Sequence, residues 1–372
     1  MNIGLDVSAA LAGGSGLAFY VERLLEALAA RAPEDKLYLT AVFHSRPERL
    51  RALRLPRGSN VEVVFRRFPQ RLLLPLEEAG LRLRARWLAG LSLDVFHGLG
   101  NAAPPMPVPT VVTLHHAGSL PDSMGVWDRF YFGRLTPRSL RRAAAVIAVS
   151  ESTRAQALRQ WRLDPAKVSV VWEGGPGAEF RPGGGADPKN PYILHVGAFV
   201  ERKNIGILLE GFARFLKADP ARRERLVLIG HEGDALAPAR ERIRALGIES
   251  RVEIRTQSPR PEIVALYQGA RMVVVPSLLE GFGFPVLEAM ACGVPVLCSN
   301  ASSLPEIAGG AALLFDPLDA EALARAIKGV ADDAALADRL REAGLARVKQ
   351  FSWERAADET LAVYRGVRRI NK

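Results

Sequence analysis

Cysteine is nearly absent from this 372-residue chain: only Cys292 and Cys298 occur, both in apolar surroundings. Two core-like thiols in so long a chain argue against a disulfide-built scaffold and fit a reducing cytoplasm. No apolar run approaches the ~20 residues that a membrane-spanning helix needs. The opening stretch MNIGLDVSAA reads as a strand and lacks the charged-then-apolar order of a signal peptide. Aromatic residues make up 7% of the chain, and no recognised nucleic-acid-binding motif occurs, which argues against a nucleic-acid partner. There is no Asp-x-Asp pair, and no His or Cys spacing suits zinc or a transition metal. What remains is a globular composition, 48% hydrophobic and 24% charged, at a length comfortable for two domains.

Acidic charge is also scarce, but only in one half. Residues 1–186 carry 24 Lys and Arg against 16 Asp and Glu, whereas residues 187–372 carry 26 against 24. The excess concentrates in residues 44–90, where eleven Arg meet four Glu. Strings such as RLLLPLEEAGLRLRARWLAG mix Arg with Leu and Trp. Such mixing suits an amphipathic surface on an anionic membrane, or a plain solvated basic face. The expected location is therefore the cytoplasm, with a peripheral place at the inner face of the membrane left open.

Short β-rich runs alternate with helical stretches throughout, the pattern of α/β architecture with parallel sheets. In the first half, residues 2–7, 37–42, 61–65, 94–97, 110–114, 146–149 and 168–171 read as strands. In the second, residues 192–196, 226–229, 252–255, 272–275, 295–298 and 311–315 do. A helix is expected at 18–30, where Leu24, Leu25 and Leu28 share a face. The segment GGPGAEFRPGGGADPKNP, residues 174–191, is the densest Gly/Pro cluster and reads as a linker. Two domains follow, at 1–178 and 186–351.

The sharpest local signal is PSLLEGFGFPVLEAMACGVPV, residues 276–296. A buried strand ends at Pro276, Gly281 and Gly283 let the backbone approach a ligand, and Pro285 suits the first position of a helix. The free N–H groups at such a helix start form an anion site. Glu288, a turn further on, suits vicinal ribose hydroxyls, and Glu280 a second hydroxyl-rich group. An anion cradle between two hydroxyl acceptors describes a sugar nucleotide. HVGAFVERKN, residues 195–204, supplies counter-charge: a strand ends at Gly197, and Arg202 and Lys203 follow in the next loop. In the first half, AGGSGLAFY places Gly13, Gly14 and Gly16 between the opening strand and a helix, and TVVTLHHAGSL ends a strand at His115.

Together these strings resemble the retaining glycosyltransferases of family 4, whose E-x7-E signature is matched by Glu280 and Glu288. The resemblance runs from the glycine loop to FSWERAADETLAVY, residues 351–364. It implies an α/β GT-B fold, two Rossmann-like domains facing across a cleft, with the last helix, 353–370, crossing back to the first domain. It further implies transfer of a mannose- or glucose-type hexose from a GDP- or UDP-linked donor to a hydroxyl of a glycan or lipid-linked acceptor. Glu280, Lys203, Arg202 and His115 take the catalytic positions. Gly14, Gly16, Gly197, Gly281, Phe282, Gly283, Phe284 and Glu288 take the donor-binding ones. Two departures stand out: Ala198 where many relatives have Arg, and His116 where they have Asp. These two favour the alternative of an inactive sugar-nucleotide-binding or scaffold protein; the intact acidic pair favours the enzyme. An oxidoreductase is disfavoured, because no full Gly-x-Gly-x-x-Gly fingerprint follows the first strand.

A diphosphate held without a metal needs protein cations, and Arg202 and Lys203 meet that need. Turnover is thus expected to need no cofactor or metal and to survive chelator treatment. Activity abolished by chelation and restored by magnesium would overturn this.

Overall fold

A computed structural model describes residues 1–11, 15–43, 53–117, 125–187 and 189–370. The chain divides into two compact units, residues 1–174 with 352–372, and residues 175–351. Each is built on one parallel sheet with helical crossovers.

Unit 1 holds β1 (Asn2–Asp6), β2 (Lys36–Phe43), β3 (Val61–Arg67), β4 (Val95–Gly98), β5 (Thr110–Leu114), β6 (Ala145–Ala148) and β7 (Val168–Val170), in the order β3-β2-β1-β4-β5-β6-β7. Unit 2 holds β8 (Tyr192–Val196), β9 (Arg225–Ile229), β10 (Val252–Arg255), β11 (Met272–Val275), β12 (Val296–Ser299) and β13 (Leu313–Phe315), in the order β10-β9-β8-β11-β12-β13. These strands lie within two residues of the expected limits. Their legibility has a simple cause: β4, β5, β6, β11 and β12 are buried along their whole length, as strands covered by helices on both faces must be. In each sheet the chain leaves the first strand to one side and returns on the other, at β1/β4 and at β8/β11. Ligand sites of open α/β sheets form outside the strand ends at such reversals.

The helix Trp353–Ile370 belongs to unit 1 and packs on the helix Ser15–Arg31. Trp353 meets Phe19 edge-to-face with ring centroids 6.0 Å apart. Arg31 holds Asp358 through two bonds of 2.8 Å, and Tyr364 reaches the buried His97 at 2.6 Å. Packing around the first residue of this helix is equally tight: a Cβ at Gly174 would fall 2.4 Å from the Trp353 ring.

The basic stretch folds in an unexpected way. Residues 44–52 lie outside the described residues. The Leu/Arg string beyond them makes two short helices, Gln70–Glu78 and Leu83–Trp87, separated by Gly80 at φ +99° and Arg82 at φ 35°. Arg84 turns inward instead of joining the basic surface. Its guanidinium binds Asp6 Oδ2 at 2.7 Å and Glu77 Oε2 at 2.6 and 2.8 Å, while its N–H donates to Glu77 Oε1 at 3.0 Å. All three residues are buried. The cluster pins the helix pair to the C-terminal end of β1.

Replacing Arg84 with Met should cost about 3–5 kcal/mol, because two buried carboxylates lose their shared cation. A urea midpoint for the Arg84→Met variant equal to that of the parent would contradict this placement.

Candidate functional site

Strand β11 ends in unit 2 at Val275, and the loop that follows meets the loop after β8. Ser277 is fully buried and Glu280 nearly so. A carboxylate in such a place must find donors or lose its charge. Glu280 Oε1 accepts from Ser277 Oγ at 2.7 Å and from Lys203 Nζ, while Oε2 accepts from Arg202 Nη1 at 3.3 Å. Burial alone would raise its pKa, but the charges of Lys203 and Arg202, with the Lys203 and Ser277 hydrogen bonds, more than offset this and hold it below the ordinary carboxylate range. Sequence reasoning had placed Glu280 on the sugar and Lys203 on the diphosphate. The structure makes them direct partners, with Lys203 buried as well.

The loop carrying these cations is fixed from both sides. Glu201–Lys203 forms one 3₁₀ turn closed by Asn204 at φ 54°, in the left-handed region that Asn tolerates best after Gly. The Asn204 amide donates to Pro276 O at 3.2 Å and Pro317 O at 2.8 Å, and Leu278 N–H donates to Arg202 O at 2.8 Å. Gly197 lies against the neighbouring strand so closely that a Cβ at Gly230 would sit 1.8 Å from its carbonyl oxygen. Beside it, His195 is buried, donates Nδ1–H to Val274 O at 2.9 Å, and has its pKa lowered to about 4, chiefly by burial.

The helix after the glycine turn is Phe284–Ala291, so Phe284 opens it and Pro285 comes second. Gly283 precedes it at φ +126°, a conformation that an L side chain would strain. The expected row of free N–H groups is shorter than supposed. Val286 N–H donates to Gly283 O at 3.0 Å, and Pro285 has none. Gly281 is half-buried, whereas Phe282 is buried against Phe284 and Phe351, with ring centroids 5.6 and 5.8 Å away. Both rings pack within the unit. Ser303 Oγ donates to the carbonyls of Phe282 and Glu280 at 2.6 and 3.1 Å and so fixes the turn.

Glu288 stands apart from the cation pair. Its Oε2 accepts from Tyr267 OH at 2.8 Å, and burial raises its pKa despite that bond and the charges of Arg260 and Lys203. Tyr267 was not foreseen; it lies on another helix, Arg260–Gly269, and carries no spacing signal relative to Glu288.

His115 lies in unit 1, just after β5. Its Nδ1 meets Glu173 Oε1 at 3.2 Å and its Nε2 meets Leu99 O at 2.9 Å. Both ring nitrogens thus face acceptors. Tyr20 stacks edge-on to the ring at 4.6 Å, and Asn101 Oδ1 accepts the His115 backbone N–H at 2.8 Å. His116 lies beside the Phe132 ring instead, at 5.2 Å. Glu173 was missed because it is 58 residues from His115 and falls between the last strand of the first half and the linker, where no pattern marks it. Gly14 lies outside the described residues. Gly16 is in the first turn of its helix, and a Cβ there would meet nothing within 4 Å. Among the described residues no group of three or more His, Cys, Asp or Glu gathers as metal ligands would.

Comparisons with known proteins agree with this architecture. Residues 14–174 match the family described as Glycosyltransferase Family 4, and residues 178–347 match Glycosyl transferases group 1. The O-antigen chain mannosyltransferase B of Escherichia coli is 34% identical over 254 residues, 63% of this chain and 64% of that protein. The chain thus spans just under two thirds of that relative's length. The MMP alpha-(1->4)-mannosyltransferase of Mycolicibacterium hassiacum is 30% identical over 304 residues, 75% of this chain and 72% of that protein. Among solved structures, Anabaena Alr3699/HepE in complex with UDP and glucose superposes with a TM-score of 0.71 at 19% identity, covering 97% of this chain and 99% of that one. The fold is thus GT-B, with two Rossmann-like domains.

Glu288 should weaken the fold at neutral and higher pH. Its raised folded-state pKa means that the protonated form favours folding fully below the unfolded-state pKa, and that this contribution is lost as pH rises through the folded value. Glu288→Gln should therefore raise the Tm at pH 8, by roughly 2–4 °C for each kcal/mol relieved. The gain should shrink as pH falls toward the ordinary Glu range. A variant that is less stable at pH 8 and gains on acidification would reverse this sign.

Proposed function

The chain belongs to the family 4 glycosyltransferases, and from that premise we propose that it moves a hexosyl group from a nucleoside-diphosphate sugar to a hydroxyl of a glycan or glycolipid, with retention at the anomeric carbon. The observation that carries this reading is the buried Glu280–Lys203 pair, with the exposed Arg202 beside it, at the reversal point of the second sheet. Lys203 and Arg202 neutralise the donor diphosphate and the negative charge that grows on it as the glycosidic bond breaks, where fixed cations have most effect. Glu280 Oε1 is engaged twice, so its remaining acceptor capacity is on Oε2, which suits the hydroxyls of the donor hexose. Glu288 takes the ribose hydroxyls in exchange for part of its present desolvation. Ser258 Oγ, buried and without a hydrogen-bond partner among the described residues, follows β10 and is a candidate for the base.

In the transfer, the bond from the anomeric carbon to the phosphate oxygen breaks and a bond to the acceptor oxygen forms on the same face. The acceptor proton passes to the departing phosphate. The clamping of Glu280 by two cations speaks against its use as a covalent nucleophile. Acceptor recognition is assigned to unit 1, around His115 and Tyr20. The mannosyltransferase relatives favour a mannose-type donor, and the UDP and glucose bound in the Anabaena protein favour UDP-glucose. A turnover screen of GDP- and UDP-sugars decides between them.

Lys203→Ala and Glu280→Gln should each lower kcat by about 10²–10³-fold. Glu280→Gln keeps the side-chain shape, so a native circular dichroism spectrum with lost turnover separates chemistry from folding. Near-parental kcat in both variants, or a folded parent chain that releases no nucleotide from any donor, would sink the assignment.

A further inference from the structure

Where the two middle strands of the second unit part, a buried histidine is left with half of its hydrogen bonding unmet. β8 pairs β9 along its whole length, and β11 pairs β12 over Val273–Val275. With each other, β8 and β11 pair only at Ile193–Met272 and Leu194–Val273. The next residue on β8 is His195, whose ring reaches across to β11 and donates Nδ1–H to Val274 O at 2.9 Å. A carbonyl can only accept, so this bond puts the ring proton on Nδ1. Burial lowers the pKa to about 4; the Val274 bond and Glu280 oppose that shift, and Lys203 reinforces it. The ring is therefore neutral at physiological pH, and Nε2 is a bare acceptor.

Nε2 has no hydrogen-bond partner among the described residues, although His195 is only 1% exposed. A buried polar atom of this kind weakens the fold unless something meets it. Lys203 stands beside it. A Cβ built on Gly197 would lie 3.2 Å from Nε2 and 3.3 Å from both Cδ and Cε of Lys203, so the bare nitrogen and the end of the lysine stem flank one point. The ammonium carries three protons, and among the described residues it has one acceptor, Glu280 Oε1. An acceptor without a donor thus adjoins an ammonium with unassigned protons. A ligand hydroxyl is a poorer match, because Nε2 is closed to solvent.

We infer that His195 is a positioning residue for Lys203: when a nucleoside diphosphate binds, Nε2 accepts one ammonium proton while Glu280 Oε1 and a phosphate oxygen take the other two. Three acceptors fix the direction of the charge, which a lysine on a flexible stem does not do for itself. A neutral acceptor suits the place. A second carboxylate there would cancel the charge needed at the phosphate, and a cation would repel the ammonium. His195 acts through Lys203 and touches no reacting atom. The inference rests on the proposed role of Lys203 at the donor diphosphate.

The test compares two amide variants of the full chain. In His195→Asn the amide can still donate to Val274 O, but nothing reaches the Nε2 position. In His195→Gln the longer amide brings an oxygen to that position and gives up the bond to Val274. His195→Asn should lower kcat/KM for the donor about ten- to a hundredfold, the range for a hydrogen bond to a charged group. His195→Gln should recover most of that loss, whichever of the two melts lower. In a Lys203→Ala background the Asn change should cost nothing further. In isotope-labelled protein the nitrogen resonance of His195 Nε2, identified by its loss in the Asn variant, should move when UDP or GDP is added. An Asn variant as active as the parent, a folded Gln variant no better than Asn, or equal losses with and without Lys203 overturns the inference and leaves the transferase reading standing. So does a resonance unmoved by a nucleotide that calorimetry shows to be bound. The Lys203 background and the resonance decide the matter if the Gln variant does not fold. A parent that binds neither nucleotide overturns both readings, whereas a resonance that moves in a chain turning over no donor defeats the transferase reading alone.

Discussion

A carboxylate removed from water stays charged only where cations and donors replace its hydration, and the second unit is organised around one that does. Glu280 and Lys203 are 77 residues apart in sequence, on loops that leave different strands. Their pairing draws the 3₁₀ turn after β8 against the turn after β11. Neither loop could take its observed course with the other displaced. Arg202 donates to both the Leu279 carbonyl and the Glu280 carboxylate, at 3.2 and 3.3 Å. Asn204 ties the same turn to Pro276 and Pro317, and Ser302 and Ser303 close the turn over Glu280 from the β12 side. Removing one member of such a buried set leaves the other uncompensated, so the arrangement is all-or-none. That rigidity is what electrostatic preorganisation requires, since donors that must reorient during reaction lose most of their advantage.

The first unit solves the same problem with little net charge at its centre. His97 is fully buried, and burial lowers its pKa to about 3, so it stays neutral and bridges Tyr364 at 2.6 Å and Thr113 at 2.8 Å. Thr113 in turn meets Tyr20 OH at 3.0 Å, and Tyr20 stacks on His115. The C-terminal helix therefore supplies a hydrogen-bond partner to a chain of side chains ending at the ring next to β5. Its return to unit 1 is more than surface packing. The tyrosines gain from this too: burial pushes the phenols of Tyr20 and Tyr364 well up, so they remain protonated partners at any physiological pH.

Sequence carried the strands and the acidic turn for a physical reason. Strands covered on both faces are continuous apolar runs, and glycine turns at their ends leave a local trace, so 272–275 and 192–196 coincide with β11 and β8. Partnerships left no such trace. Tyr267 with Glu288, Glu173 with His115, and Arg84 with Asp6 join residues 21, 58 and 78 positions apart, and nothing in the spacing of either member selects the other. The direct Glu280–Lys203 contact was missed for the same reason, although both residues were named. Inside the functional string, the Phe282 ring packs on Phe284 and Phe351 and anchors the turn. Net charge counts every arginine alike, whereas Arg84 is consumed internally by Glu77 and Asp6, so only the outward ones shape the surface.

The two glutamates of the turn differ in a way that bears on how a ligand would be held. Glu280 is fully compensated before anything binds, so a hydroxyl donated to it adds one interaction to a settled site. Glu288 accepts a hydrogen bond from Tyr267, and burial raises its pKa despite that bond. Vicinal hydroxyls would supply two hydrogen bonds to a carboxylate already paid for in desolvation, so little of their binding energy is spent on removing water from the protein partner. On the proposed binding mode, affinity would be concentrated at the end of the ligand remote from the reacting carbon. Interactions there help catalysis only if the rest of the ligand is positioned by them, and Glu280 with its two cations is the rigid element against which that positioning can act.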